Sequence, residues 1–175
     1  MRRLLLLRHA KAERVQPGER DIERVLAEAG RADAIRLGHY LERHALRPDL
    51  AVVSTATRTR ETWALAGAAF ADAPPAAFEG RLYDAGPQAI LSVIKETDPK
   101  VGTLLLVGHN PGLHELAALL VAVGDVDTRE RLQEEFPTSG LAVIDFALDA
   151  WSRLHPQAGR LERFLSPRTL AAATD

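Results

Sequence analysis

Apolar residues fall into two kinds of pattern along the chain. Short unbroken runs occur at Leu4 to Leu7, Leu50 to Ser54, Thr103 to Val107 and Leu141 to Phe146, as expected for strands buried on both faces. Between the runs the spacing changes to threes and fours. Ala34, Leu37, Leu41 and Ala45 line one helical face, Thr62, Leu65, Ala66, Ala69 and Phe70 a second, and Leu113, Leu116, Ala117, Leu120 and Val121 a third. Ile90, Leu91 and Ile94 predict a shorter helix after Pro87. Strands alternating with helices predict an α/β protein, a three-layer α/β/α sandwich around a mostly parallel central sheet, because parallel neighbours need crossover connections. Asp72 to Pro75 and Gly124 to Asp127 read as surface loops. The expected organisation is a single domain over 1–165 followed by a loose C-terminal tail over 166–175.

Composition narrows the classes of function. A chain of 175 residues with 46% hydrophobic and 26% charged residues has enough apolar material for one core and is not a disordered segment. Lys and Arg number 22 against 24 Asp and Glu, and the net charge of −2 gives no global field for gathering nucleic acid or an anionic membrane. Neither is an expected partner, and any anion site must be local. The lack of cysteine excludes disulfides, thiolate zinc sites and a cysteine nucleophile. Met1-Arg2-Arg3 before four leucines resembles the front of a signal peptide, but Arg8 and His9 end the apolar run too early and no cleavage site follows. No apolar run approaches the roughly 20 residues of a spanning helix. A cytoplasmic protein is expected.

The chemistry-bearing residues lie where the predicted strands end, the edge at which open α/β sheets bind their ligands. The first strand delivers Arg8 and His9, the second Ser54 through Arg58, and the third Gly108 through Gly112. Leu4-Leu5-Leu6-Leu7-Arg8-His9 echoes Leu104-Leu105-Leu106-Val107-Gly108-His109, so each of two strands places an imidazole just beyond its end. Two arginines and two histidines at one edge call for an anion, and a tetrahedral phosphate suits the donor fork of arginine. Ser54-Thr55-Ala56-Thr57-Arg58-Thr59-Arg60-Glu61 reads as a strand entering a helix capped by Thr55 or Thr57. Arg58 or Arg60 then stands in a first turn, where the helix dipole favours acids. A local violation of this kind is what functional sites show, although an arginine paired with Glu61 at the surface is the plain alternative. Asn110 reads as a cap for a helix beginning at Pro111, which leaves backbone N–H groups free beside His109.

Arg8-His9-Ala10 resembles the Arg-His-Gly signature of the histidine phosphatase superfamily, and Val107-Gly108-His109-Asn110-Pro111-Gly112 resembles its second-histidine motif. Arg24-Val25-Leu26 through Gly30-Arg31, Ser54 to Thr62, and Phe136-Pro137-Thr138 resemble further segments, most closely those of the small SixA type of phosphohistidine phosphatase. The likeness runs from Leu4 to Leu165. It implies a phosphoglycerate mutase-like fold, His9 as the nucleophile, Arg8 and Arg58 as phosphate ligands and His109 as the second histidine. It leaves Arg60 without a counterpart, and offers Arg24 and Asn110 as substrate-binding candidates. The sequence departs from the pattern at Ala10 for glycine, Thr55 for proline and Glu61 for glutamine. Of these Ala10 bears most on function, since a Cβ limits how closely the backbone approaches phosphate.

The implied reaction is in-line attack by neutral His9 to give a phosphohistidine that water hydrolyses, with Arg8, Arg58 and protonated His109 around the equatorial oxygens. Neither metal nor cofactor is expected. Asp84 is the candidate general acid and Glu79 the second choice, while both also fit as ordinary surface carboxylates. The expected partner is a phosphohistidine-bearing protein, because a phosphoramidate nitrogen takes up a proton readily. A small phosphate ester of the sugar or nucleotide type is the alternative. A mutase, a silent phosphate-binding module and a metal site at His9 and His109 are further readings; the arginines disfavour the last. His39, His44, His114 and His155 read as surface or packing residues.

Overall fold

Leu4, Leu5, Leu6 and Leu7 are all fully buried, which is possible only for a strand covered on both sides. In the computed structural model, which describes residues 1–174, they form the middle of β1, Arg2–Arg8. Leu4 and Leu6 pack on one face of the sheet and Leu5 and Leu7 on the other, as the two-residue repeat of a strand requires.

The other strands are β2 (Leu50–Ser54), β3 (Ala76–Glu79), β4 (Thr103–Gly108), β5 (Val121–Gly124), β6 (Leu141–Phe146) and β7 (Gly159–Leu165). Among the described residues they form one seven-stranded sheet in the order β3-β2-β4-β1-β6-β7-β5. β1, β2, β3 and β4 run parallel to one another, β5 pairs parallel with β7, and β6 is antiparallel to both β1 and β7. The helices are α1 (Glu28–Arg43), α2 (Thr57–Gly67), α3 (Pro87–Lys95), α4 (Gly112–Leu120), α5 (Val126–Glu134) and α6 (Pro167–Thr174). Leu37 and Leu41 of α1, Trp63 of α2 and Leu170 of α6 cover one face of the sheet. Ile90 and Ile94 of α3, Leu113 and Leu116 of α4 and Leu132 of α5 cover the other. This is the expected three-layer, mostly parallel α/β sandwich. No helix among the described residues is long and apolar enough to cross a membrane.

Two local expectations need correction. Gly124 to Asp127 is not a loop: Gly124 ends β5, and the Asp125 carboxylate accepts from Thr128 N–H at 3.0 Å to cap α5. The stretch over 166–174 is not a loose tail either, since it carries α6, packs against α1 and buries Leu170 to 3% exposure in the core. Asp175, the last residue of that expected tail, lies outside the described residues.

For the site, the useful consequence of this topology is convergence. β1, β2 and β4 end at the same edge, with Arg8 level with Gly108 and Val53 level with Val107. β6 starts there because it is antiparallel, so the segment Phe136 to Gly140 reaches the edge as well. Gly140 O accepts from Arg8 N–H at 3.0 Å, and Ser139 N–H is shared between the carbonyls of Arg8 and His9.

Candidate active site

His9 follows directly on β1, and its backbone N–H donates to the Gly108 carbonyl at 3.2 Å. That bond ties it to the strand end that carries His109. The two imidazole centroids lie 5.3 Å apart with the rings tilted by 52°, and both residues are buried. His9 Nδ1 lies 2.8 Å from the Ala10 carbonyl. An oxygen of that kind only accepts, so Nδ1 carries the proton and Nε2 holds the lone pair. Burial, followed by the positive charges of Arg8, Arg58 and Arg24, pushes His9 down to about 4, although the Ala10 carbonyl pulls the other way. His9 is therefore neutral at pH 7.

His109 Nε2 is 2.7 Å from the hydroxyl of the fully buried Ser54, while its Nδ1 is buried with no partner. Burial, His9 and Arg58 push His109 down to about 3, with Asp21 opposing them. In the free site two adjacent imidazoles under two guanidinium groups leave His109 neutral at neutral pH, whereas a protonated second histidine is expected with the phosphoryl group in place.

Arg58 is the second residue of α2 and is buried. Neither Thr55 nor Thr57 caps this helix. Ala56 occupies the cap position, and Thr59 Oγ1 donates to the carbonyls of Ser54 and Ala56, both at 2.8 Å. Thr62 Oγ1 donates to Arg58 O at 2.7 Å and accepts from Ala10 N–H at 3.0 Å, so the end of β1 and the first turn of α2 are locked together. Arg8 donates from Nη1 to the Phe136 carbonyl at 3.1 Å. Burial, then the charge of Arg58, lowers the Arg8 pKa, the mark of two cations held close together.

Five buried polar atoms lack partners in this cluster: Arg8 Nε, Arg58 Nε, His109 Nδ1, Asn110 Oδ1 and Ser139 Oγ. Buried polar groups are rarely left unsatisfied. Here the concentration of unpaired nitrogens between two arginines and two neutral histidines describes a receptor for a multidentate oxyanion.

The remaining expected residues divide. Asn110 reaches the cluster, but not as a helix cap: α4 begins at Gly112, Pro111 takes the cap position after a cis Asn110-Pro111 bond, and Asn110 Nδ2 donates to the Phe136 carbonyl at 2.8 Å, beside Arg8. Arg24 comes near through Asp21, 3.1 Å away. Asp84 does not join. It is exposed in a left-handed conformation at φ 54° and has no hydrogen bond to the cluster among the described residues. Glu79 is bound to Arg81 by side chain and backbone, which lowers its pKa. Arg60 lies over the Phe78 ring at 4.4 Å.

The departures from the motif pattern are absorbed locally. The Ala10 methyl packs with Leu26 and Ala34, and Glu61 Oε1 accepts from Leu26 N–H at 2.9 Å, a role a glutamine oxygen would fill equally well.

Sequence reasoning missed three contributors. Ser54 was one residue of a longer segment with no role of its own. Tyr83 sets its ring edge-on to His109 at 5.6 Å. Asp21 pairs with Arg58 at 3.1 Å and accepts from the Tyr83 hydroxyl. Nothing local in the sequence marks these last two.

A model of the histidine phosphatase superfamily (branch 1) matches residues 4–84. An uncharacterised protein of Mycobacterium tuberculosis is 38% identical over 164 residues, which span 93% of this chain and 100% of that protein. A structure from Agrobacterium tumefaciens assigned to the phosphohistidine phosphatase SixA is 37% identical, with a TM-score of 0.78 over 95% of this chain and 98% of that one. A second structure assigned to SixA, from Nakamurella multipartitia, is 29% identical with a TM-score of 0.82, over 95% of this chain and 96% of that one.

Proposed function

Because the chain belongs to the histidine phosphatase superfamily, we propose that it is a phosphatase that removes phosphate from phosphohistidine in a protein substrate, with His9 as its nucleophile. The observation that carries this reading is the state of His9: neutral, with Nδ1–H pinned to the Ala10 carbonyl, and with the Nε2 lone pair available beside two guanidinium groups.

In the first step the Nε2 lone pair forms a P–N bond as the bond from phosphorus to the substrate imidazole breaks. In the second, water attacks the phosphorus of phospho-His9, its proton is lost to solvent, and His9 regains its lone pair as inorganic phosphate leaves. Arg8 and Arg58 neutralise the equatorial oxygens throughout, the dominant contribution in phosphoryl transfer. A bound dianion raises the pKa of His109, so that this residue takes a proton and donates it from Nδ1 to a phosphoryl oxygen. The scheme uses no metal and no cofactor; two arginines repel a cation at the position of the phosphoryl group.

The choice of phosphohistidine over an alkyl ester rests on the carboxylates. Glu79 is held by Arg81, Asp84 is exposed and makes no hydrogen bond to the cluster among the described residues, and Asp21 is ionised, held down to about 2 chiefly by the Tyr83 hydrogen bond. None is placed and protonated to serve an alkoxide leaving group, whereas an imidazole leaves without such help when its other nitrogen is protonated.

The test compares wild type and His9→Ala on a phosphohistidine protein and on a panel of sugar and nucleotide phosphates, with a search for acid-labile phosphate on His9. We expect the label on His9, loss of turnover in the variant and preference for the protein substrate. Equal rates in the two proteins would overturn the nucleophile assignment, and preference for a small ester would overturn the substrate assignment.

A further inference from the structure

Asp21 stands in the connection between β1 and α1, in a short 3-10 turn over Asp21–Glu23. Its backbone carbonyl accepts from Arg58 Nη1 at 2.9 Å, and its Oδ2 accepts from Arg58 Nη2 at 3.1 Å. The same Oδ2 accepts from the Tyr83 hydroxyl, and Oδ1 accepts from Arg24 Nη1 at 3.1 Å. One residue thus engages both terminal nitrogens of Arg58. The nitrogen it leaves free, Nε, is the one that is buried without a partner.

The Asp21 carboxylate is half exposed, while the Arg58 side chain it holds is only 7% exposed. It therefore stands at the rim, with Arg58 behind it and Tyr83 bridging to the edge of His109. With both histidines neutral, Arg8, Arg24 and Arg58 against Asp21 sum to two positive charges. That is the charge of the free site, and Asp21 lowers it by one unit at the rim, where a second anionic group of the substrate would lie.

We propose that Asp21 is a positioning and specificity residue: it fixes Arg58 by both terminal nitrogens and sets a negative charge at the rim. The site then accepts a lone phosphoryl group and discriminates against phosphates that carry a neighbouring carboxylate or second phosphate. The inference rests on the phosphatase reading above and deepens it, because a protonated phosphohistidine ring presents a cation next to its phosphoryl group, the charge that Asp21 attracts.

The test is a ratio of kcat/KM values for two small aliphatic esters, glycerol 3-phosphate and 2-phosphoglycolate, of which only the second carries a carboxylate beside its phosphate. Wild type should prefer glycerol 3-phosphate. Asp21→Asn keeps an accepting oxygen for Tyr83 but removes the charge, and should shift the ratio toward 2-phosphoglycolate by roughly three- to tenfold, the range for unit charges about 3–6 Å apart screened as in bulk water, which the open rim admits. Asp21→Glu should retain the wild-type preference. A role confined to holding Arg58 would slow both esters by one factor, and an unchanged ratio would overturn the proposal. Should Asp21→Asn fail to fold, the wild-type ratio against ionic strength decides, because added salt screens the repulsion and should weaken the preference; a flat dependence overturns it. Should wild type hydrolyse neither ester, as the lack of a placed acid for an alkoxide allows, the reading of the function is decided by the phosphohistidine assay above and the charge at the rim is read by binding. Calorimetric titration of wild type and Asp21→Asn with inorganic phosphate and pyrophosphate then reads the same charge, and a ratio of affinities unaltered by the substitution overturns the proposal.

Discussion

Two buried imidazoles held neutral are a liability in acid, and the size of that liability follows from the site. An unfolded histidine titrates near 6.5, whereas His9 and His109 are pushed down to about 4 and about 3 in the fold. Between these limits the unfolded chain binds up to two protons that the folded chain refuses, so stability is fully present above pH 6.5 and is lost as pH falls toward 4. At pH 5 each group contributes a loss of about 2 kcal/mol relative to neutral pH, or about 4 kcal/mol for the pair. That is a large fraction of the 5–15 kcal/mol typical of a domain. The perturbation that isolates the effect is the double variant His9→Asn, His109→Asn, which replaces two titrating rings with neutral polar groups and leaves every other titratable group in place. Urea unfolding at pH 7 and pH 5, in buffers without phosphate or sulfate, should show wild type losing about 4 kcal/mol more than the variant over that interval. Parallel losses in the two proteins would refute the neutral-imidazole account, and with it the claim that the Nε2 lone pair of His9 is free at physiological pH.

Two further outcomes follow from contacts outside the His9 ring. Ser54→Ala strips His109 Nε2 of its 2.7 Å partner inside a buried site; an unmet group of that kind should cost about 1–3 kcal/mol in denaturant unfolding, and the loosened ring should lower kcat with little change in KM, as steady-state kinetics would show. Leu170→Ala removes a buried side chain of the core cluster that α6 shares with α1 and should cost about 2–4 kcal/mol in denaturant unfolding, while removal without loss would return the segment to the status of a tail.

The candidate constellation was legible because it is written at strand ends. Leu4 to Leu7 and Leu104 to Val107 are so uniformly apolar that their strands could be placed to within a residue or two, and His9 and His109 come next in the chain. Elements that bury little apolar surface left weaker traces. β3 is an edge strand of four residues, three of them exposed, and α5 buries only Leu132 among the described residues. β7 buries Gly159, Leu161 and Phe164, an alternation that slips by one residue where its pairing with β6 shifts register, and Arg160, Glu162 and Arg163 disguise it as a polar stretch. The reversed direction of β6 has no sequence signature, since an antiparallel strand buried on both faces reads the same as a parallel one.

Asp21 belongs to a different class of illegibility. Its neighbours in sequence predict a surface turn, and its partners lie 37 positions away at Arg58 and 62 at Tyr83. A carboxylate beside arginines is also what an ordinary surface looks like, so only the geometry separates a salt bridge from a device. Here the separation comes from what is left over. If Asp21 merely paired with Arg58, the guanidinium would be satisfied, yet Nε stays buried and unpaired along with Arg8 Nε and His109 Nδ1. Unmet polar groups of this kind are unfavourable in the free fold and persist because the backbone bonds among Arg8, His9, Gly108 and Ser139 and the Thr62 lock do not allow the side chains to collapse onto one another. The fold therefore bears the strain of assembling an anion receptor before the anion arrives, and Asp21 holds the most buried of its cations in place while it waits.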